Sequence, residues 1–432
     1  MIIVGALIVL VSFLIIGIPI PLTFLASAAF FIFFGGYDAM SLIPYGFSKM
    51  NSVVLLTIPL FILAGSVMDK GGIGESLVGT VEKFVGRIKG GLGVVTIISC
   101  GVFGAISGSS SATLSCIGSI MAPRLRENGY HPGFAGALIA SSGVLGILIP
   151  PSMLMILYAW VGGQSVLASF LATVIPGIIL IILFSAVNLV YASRNPNIRV
   201  YTKPPVKLDP AGRPIKPPSP LAALLMPIII LGTIYGGILT PTEAAAVSFL
   251  YAIPVGFLVY KRLNLKTFRE TLVQGGITTG VIMIMLFAVM ILSRLYVMEN
   301  LPQQILGALT SITENKVVIM LMINLFMIIV GMLMDDVSGV LLCTPILLPI
   351  AIALEISPVH FAAIVGVNLG MGNITPPTAP LLYLAGRVAD AEVKDMLPPT
   401  FALIAFAWLP TLVLTTFLPE LSMFLPRLFG YV

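Results

Sequence analysis

The sequence predicts an all-α polytopic membrane protein, built as an inverted repeat with about ten crossings and two re-entrant hairpins. Three observations carry that expectation. Hydrophobic residues make up 58% of the 432 and charged residues only 9%. Apolar runs of membrane-spanning length recur from one end to the other. Short motifs of the first half return in the second at nearly one spacing.

Composition excludes the soluble classes. An ordinary soluble domain is about 25% charged, and a chain with mean hydropathy +1.11 lacks the polar side chains to cover its outside in water. The 32 prolines and 42 glycines would mark loops in a soluble protein; in a membrane they mark helices interrupted where they line a cavity. Net charge is +5, but the cations sit in short loops between apolar runs. There they orient the chain in the bilayer and form no face for nucleic acid. Cys100, Cys116 and Cys343 lie in apolar segments and read as packed side chains, neither disulfides nor metal ligands. The opening MIIVGALIVLVSFLIIG lacks a basic start and a small-residue cleavage site, so it reads as a retained span.

A helix needs about 20 apolar residues to cross the hydrocarbon. That ruler places spans near 2–17, 20–35, 52–68, 168–192, 221–237, 241–259, 276–297 and 399–419. Two more crossings, near 133–160 and 361–386, are broken by a double proline. Segments 91–123 and 316–354 are too long for one span, and each holds a polar, glycine-containing patch fit for the tip of a hairpin. The stretch 69–89 is amphipathic and charged, an interfacial helix between the third span and the first hairpin. Residues 194–220 carry Arg194, Arg199, Lys203, Lys207, Arg213 and Lys216 against Asp209, which makes them a cytoplasmic loop. Counting from that loop leaves 37–50, 161–167 and 298–315 outside, together with both termini. The first hairpin then enters from the cytoplasm and the second from the opposite side.

The repeat has the same sense. GILIPPS at 146–152 matches GNITPPT at 372–378, and PLFILAG at 59–65 lies opposite MLFAVMI at 285–291, both at a spacing of 226. GAISGSSSATLSC at 104–116 lies opposite GMLMDDVSGVLLC at 331–343 at a spacing of 227. The domains are then a first inverted repeat, 1–193, the loop 194–220, and a second inverted repeat, 221–432. Mirrored halves with broken helices facing each other near the midplane are the architecture of secondary transporters.

Four segments can carry chemistry. Ser107 to Thr113 places five hydroxyls in seven positions; small residues alone would let helices pack closely, but so many oxygens at membrane depth also fit a weakly held hard cation. The pair Ile149-Pro150-Pro151-Ser152 and Thr375-Pro376-Pro377-Thr378 removes backbone donors inside a span and frees carbonyls, which an ion, a substrate or a packed kink must satisfy. Asp335-Asp336 is an intramembrane carboxylate pair or a solvated hairpin end, with Asn368 and Asn373 as further oxygen donors. Thr240-Pro241-Thr242-Glu243 is read as a helix start. A serine nucleophile finds little support, because His131 and His360 both lie in loop-like contexts and no G-x-S-x-G elbow is present.

These segments together resemble the large membrane subunit of the tripartite ATP-independent periplasmic (TRAP) transporters. The resemblance is carried by IPLFILAGSVMDKGG (58–72), GGLG (90–93), SGSSSAT (107–113), LIASSGVLGILIPPS (138–152), TPTEAAAV (240–247), GMLMDD (331–336), TPILLPI (344–350) and NITPPT (373–378). It implies sodium-coupled symport of a small organic acid across a bacterial inner membrane, by an elevator-type movement of a transport domain against a scaffold. It implies two partners, a small four-helix membrane subunit and a periplasmic substrate-binding protein, with sodium as the only metal, no other cofactor and no enzymatic activity. Carried over by motif, one sodium site takes Ser107, Ser110, Gly146, Ile149 and Pro151, and the mirrored site takes Asp335, Gly372, Thr375 and Pro377. Substrate is placed near Ser109, Ser111, Asn373 and Thr378. The pattern departs at Ser66, where many relatives are acidic, and at Asn373, where many are apolar. A stand-alone sodium–carboxylate symporter and a membrane-embedded serine hydrolase are the alternative readings.

Overall fold

A computed structural model describes residues 2–200 and 220–431, and most of the basic loop, 201–219, lies outside the described residues. The described chain is helical almost throughout, with one isolated bridge between Lys89 and Val200 and no strand. Among the described residues, seven helices are long and apolar enough to cross a membrane, or eight when the bent pair Pro132–Leu148 and Met153–Gly162 counts as one span. The apolar helices Ile2–Ile16, Ile20–Gly35, Gly91–Ser107 and Pro358–Gly372 are shorter. The outer helices carry apolar side chains on their exposed faces, such as Ile277, Val281 and Ile284 along Leu265–Met298. This is a polytopic all-α membrane protein, whose exposed surface matches hydrocarbon.

Local chemistry sets the ends of the helices. Thr240 and Glu243 form a capping box at the start of Pro241–Pro254, with proline at the first helical turn. Asn264 caps Leu265–Met298 through the Thr267 N–H at 2.8 Å. That cap lets the helix begin well before the apolar run at 276, so it carries Lys266, Arg269 and Glu270 on its first turns. The stretch read as interfacial contains the helix Ile73–Val85, which buries Ile73, Leu77 and Val78. Two more segments also fold into amphipathic helices: Leu301–Ile312, which buries Leu301 and Pro302, and Ala39–Met50, which buries Leu42 and Gly46 but leaves Met40, Ile43 and Phe47 exposed. A short C-terminal helix, Glu420–Leu428, follows the last span and was not foreseen.

The core belongs to the hairpins and the broken helices. Pro358–Gly372 is buried along nearly its whole length, and so is Pro132–Gly143. The first hairpin is Gly91–Ser107 followed by Ser110–Glu127; the second is Lys316–Leu333 followed by Asp336–Ala353. Shifting Ser110–Glu127 by 226 positions lands on Asp336–Ala353 at both ends. The caps and returning helices are thus related by 226, whereas the crossing glycines Gly104 and Gly331 keep the motif spacing of 227.

Candidate functional site

Each hairpin tip is seated in a helix break. At the first, Gly91–Ser107 ends on Gly108, whose φ of 63° only glycine adopts cheaply. A Cβ there would stand 2.9 Å from the Pro151 carbonyl oxygen. Ser109 then caps the returning helix by accepting the Ala112 N–H. The Met153 N–H donates across to the Gly108 carbonyl at 3.0 Å, so tip and break are joined by main chain. The crossing is close: a Cβ on Gly104 would lie 2.6 Å from the Gly146 Cα.

The double proline decides which carbonyls are left over. A helical carbonyl accepts from the N–H four residues on, and Pro150 and Pro151 have none to give Gly146 and Ile147. Ile147 is served instead by the Ser152 hydroxyl, which donates to it at 2.6 Å. Ile149 loses its helical donor because the Met153 N–H is spent on Gly108. Gly146 and Ile149 thus offer carbonyl oxygen beside the tip. The tip packs against Gly146 so closely that only a missing side chain allows it: a Cβ there would lie 2.5 Å from both the Ser109 carbonyl oxygen and the Thr113 hydroxyl. Ser107 completes the cluster, its hydroxyl 2.9 Å from that of Thr113.

The second tip repeats the skeleton with different side chains. Asp335 is the cap, accepting the Ser338 N–H at 3.3 Å and the Ser338 hydroxyl. Gly331 and Gly372 cross with a Cβ-to-Cα approach of 2.6 Å when a side chain is built on Gly372. Pro376 and Pro377 again withhold donors. The Thr375 N–H reaches Gly372 at 2.9 Å instead, and its hydroxyl reaches Met371 at 2.6 Å. The first break is sealed, with Pro150, Pro151 and Ser152 buried, whereas Pro377 and Thr378 are exposed.

The tips also meet each other. Ser110 Oγ donates to Asp336 Oδ2 at 2.5 Å in the interior. With its amide turned so that donors meet acceptors, Asn373 donates to the Met334 carbonyl at 3.0 Å and accepts the Asp336 N–H at 3.2 Å. Among the described residues, no Lys or Arg forms an ion pair with Asp335 or Asp336. A buried carboxylate, Asp336, beside a half-buried one, Asp335, and without a basic partner needs a cation or a proton to be tolerable.

A scan against family models matches residues 7–421 to the tripartite ATP-independent periplasmic transporter, DctM component. The chain belongs to the DctM family of TRAP transporters. It is 34% identical to the sialic acid TRAP transporter large permease protein SiaM of Vibrio cholerae, covering 88% of each chain. It is 32% identical to the C4-dicarboxylate large permease DctM of Pseudomonas aeruginosa, covering 94% of each. It is also 32% identical to the isethionate TRAP transporter permease protein DctMQ of Oleidesulfovibrio alaskensis, where it spans 95% of this chain but 64% of that one. Among solved structures, the YdaH transporter of Alcanivorax borkumensis has the same fold, with TM-score 0.60 and 15% identity over 87% of this chain and 86% of that one.

The TRAP permease fold brings together much of what the motifs implied. Ser107, Gly146 and the first double proline converge. Asp335, Gly372 and Thr375 lie at the second tip and break. Ser109 and Ser111 are neighbours, with hydroxyl oxygens 3.2 Å apart, and Ser111 is exposed. Thr378 is exposed too, but among the described residues it makes no hydrogen bond to either serine. Asn373 is 1% exposed and holds the second tip to its break, so it faces the interior in this conformation. Ser110 points to the opposite hairpin.

Thr113 and Asp336 lie in segments read as chemical but belong to neither of the sites carried over by motif. Thr113 ended the hydroxyl run without being singled out. Asp336 would have been paired with Ser110 had the spacing of 226 been applied at the tips. The histidines are engaged elsewhere: His131 Nδ1 accepts the Gly133 N–H at 3.2 Å, and His360 Nε2 lies 2.7 Å from the Thr415 carbonyl oxygen.

Proposed function

We propose that this TRAP large permease performs sodium-coupled symport of a small organic acid across a bacterial inner membrane. A periplasmic binding protein delivers the solute, and a small four-helix membrane subunit completes the membrane complex. The reading is carried by one observation, the adjacent Asp335 and Asp336 at the second hairpin tip, the first partly buried and the second buried, neither with an ion-pair partner among the described residues. A monovalent cation suits such a mixture of carbonyl, hydroxyl and carboxylate oxygens.

In this reading the halves 1–193 and 221–432 are inverted repeats, and each supplies one sodium site. Ser107, Thr113, Gly146, Ile149 and Pro151 contribute to the first, while Asp335, Gly372, Thr375 and Pro377 contribute to the second. Ser109, Ser111 and Thr378 offer hydroxyls to the solute carboxylate. The hairpins and broken helices travel together as an elevator past the spans that flank them. Sialic acid, C4-dicarboxylate and isethionate in the relatives' names support a small anionic solute.

The test is uptake by proteoliposomes holding the permease with its small subunit and binding protein. Uptake that rises with an inward sodium gradient is expected. Uptake indifferent to that gradient, with potassium replacing sodium, would remove the coupling.

A further inference from the structure

We propose that Asp336 is a positioning residue that couples the two ion sites to each other. The inference rests on the sodium reading above and adds a relation between its two halves. A continuous hydrogen-bonded path runs through Asp336. Ser110 on the first tip donates to its Oδ2 at 2.5 Å. The Asp336 N–H donates to the Asn373 amide at 3.2 Å, and that amide donates to the Met334 carbonyl at 3.0 Å. The Asn373 carbonyl in turn accepts the Leu381 N–H at 3.2 Å, beyond the second double proline. First tip, second tip and second break are thus one network, and its members are buried: Ser110 at 1%, Asp336 at 9% and Asn373 at 1% exposure.

The path passes next to both sets of candidate ligands. Ser110 follows Ser109, whose carbonyl oxygen would lie 2.5 Å from a Cβ on Gly146. Asp336 follows Asp335 at the second tip. Asp336 therefore holds the first tip, beside the first site, through Ser110, while its own place is fixed by Asn373 at the second. A cation at either site orders the tip-to-tip contact that the other site requires, which is positive coupling by shared ordering.

The experiment uses the full chain in lipid nanodiscs. Thermal midpoint and hydrogen exchange of the tip amides are followed against sodium, with potassium holding ionic strength constant. The native protein is expected to respond sigmoidally. Asp336→Ala should turn that response hyperbolic and raise the half-saturating sodium concentration by roughly 5-fold or more. Asp336→Asn keeps the shape and an oxygen for Ser110, and should keep the sigmoid. If Asp336→Ala does not fold, Asn373→Ala cuts the same path at its other end and should show the same loss. A sigmoid retained in either alanine variant, or a hyperbola in the native protein, overturns the coupling while leaving the sodium reading intact. A native protein that ignores sodium overturns the sodium reading itself.

Discussion

Adding one methyl group at Gly146 should damage the first ion site with little change elsewhere. In Gly146→Ala the new carbon falls 2.5 Å from the Ser109 carbonyl oxygen and 2.5 Å from the Thr113 hydroxyl. Carbon and oxygen settle no closer than about 3.3 Å, so the tip must retreat by roughly 0.8 Å. It cannot yield locally, because one of the clashing atoms is backbone and the tip is tied to the break through Gly108 and Met153. Overpacking of this kind costs about 1–3 kcal/mol. Each 1.4 kcal/mol is tenfold in affinity, so sodium should bind the first site roughly 5- to 150-fold more weakly. The assay is half-saturating sodium in proteoliposome uptake, paired with sodium-dependent thermal stabilisation of the same preparation. Gly280→Ala is the control: a Cβ there meets nothing within 4 Å inside Leu265–Met298, and helix propensity makes it neutral or stabilising by up to about 1 kcal/mol. A folded Gly146→Ala protein with native sodium affinity would refute the placement of the site.

Two further outcomes are expected. Ser152→Ala leaves the buried Ile147 carbonyl without the hydroxyl that replaces its missing helical donor, and also removes a helix cap. It should destabilise by about 1–3 kcal/mol in thermal or denaturant unfolding, with Ser152→Thr restoring most of the loss. Outside the membrane spans, the Tyr37 phenol donates to the Glu299 carboxylate at 2.5 Å, and that bond together with burial pushes its pKa up to about 12. The folded value lies above the ordinary tyrosine value of about 10. This contribution to stability is therefore complete below pH 10 and fades as pH rises through 12. Unfolding of the native protein and Tyr37→Phe should differ below pH 10 and converge above 12; a gap independent of pH would contradict the assignment.

The sequence made the broken helices and hairpins legible because their signals are local. Proline removes an N–H wherever it stands, and a glycine beside a run of hydroxyls cannot continue an ordinary apolar span. Span length is set by bilayer thickness, which is why the apolar runs were found, although Leu265–Met298 starts well before the run at 276 because a polar cap and charged first turns extend it. The amphipathic Ala39–Met50 and Leu301–Ile312 were harder to read. Their helical state depends on what their apolar faces cover, and pattern alone does not supply the partner. The role of Asn373 was hidden for a similar reason. Beside a proline break it looks like a ligand, and only the position of the second hairpin shows that Met334 and Asp336 occupy its amide. Asp336 itself was one position away from legibility, since a slip of a single residue in the repeat spacing pairs it with Ser109 and not with Ser110.

That pairing explains why the halves differ where they are closest. In the inverted arrangement proposed here, a residue near the pseudo-two-fold axis faces its own counterpart, and Ser110 with Asp336 is such a pair, 226 positions apart and in contact. Two aspartates there would set like charges against each other in a low-dielectric interior, and one of them would have to take up a proton. Two serines would bond, but would leave no fixed charge to hold a cation. Serine opposite aspartate gives a donor for the acceptor and keeps a single carboxylate in the contact. The caps diverge in the same way, Ser109 in the first half and Asp335 in the second, with each still accepting an N–H three residues on. The backbone skeleton can therefore remain duplicated while its chemistry cannot. Ser110→Asp should restore sequence symmetry and lose sodium-dependent stabilisation at neutral pH, because a proton shared between the paired carboxylates would then compete with sodium for them.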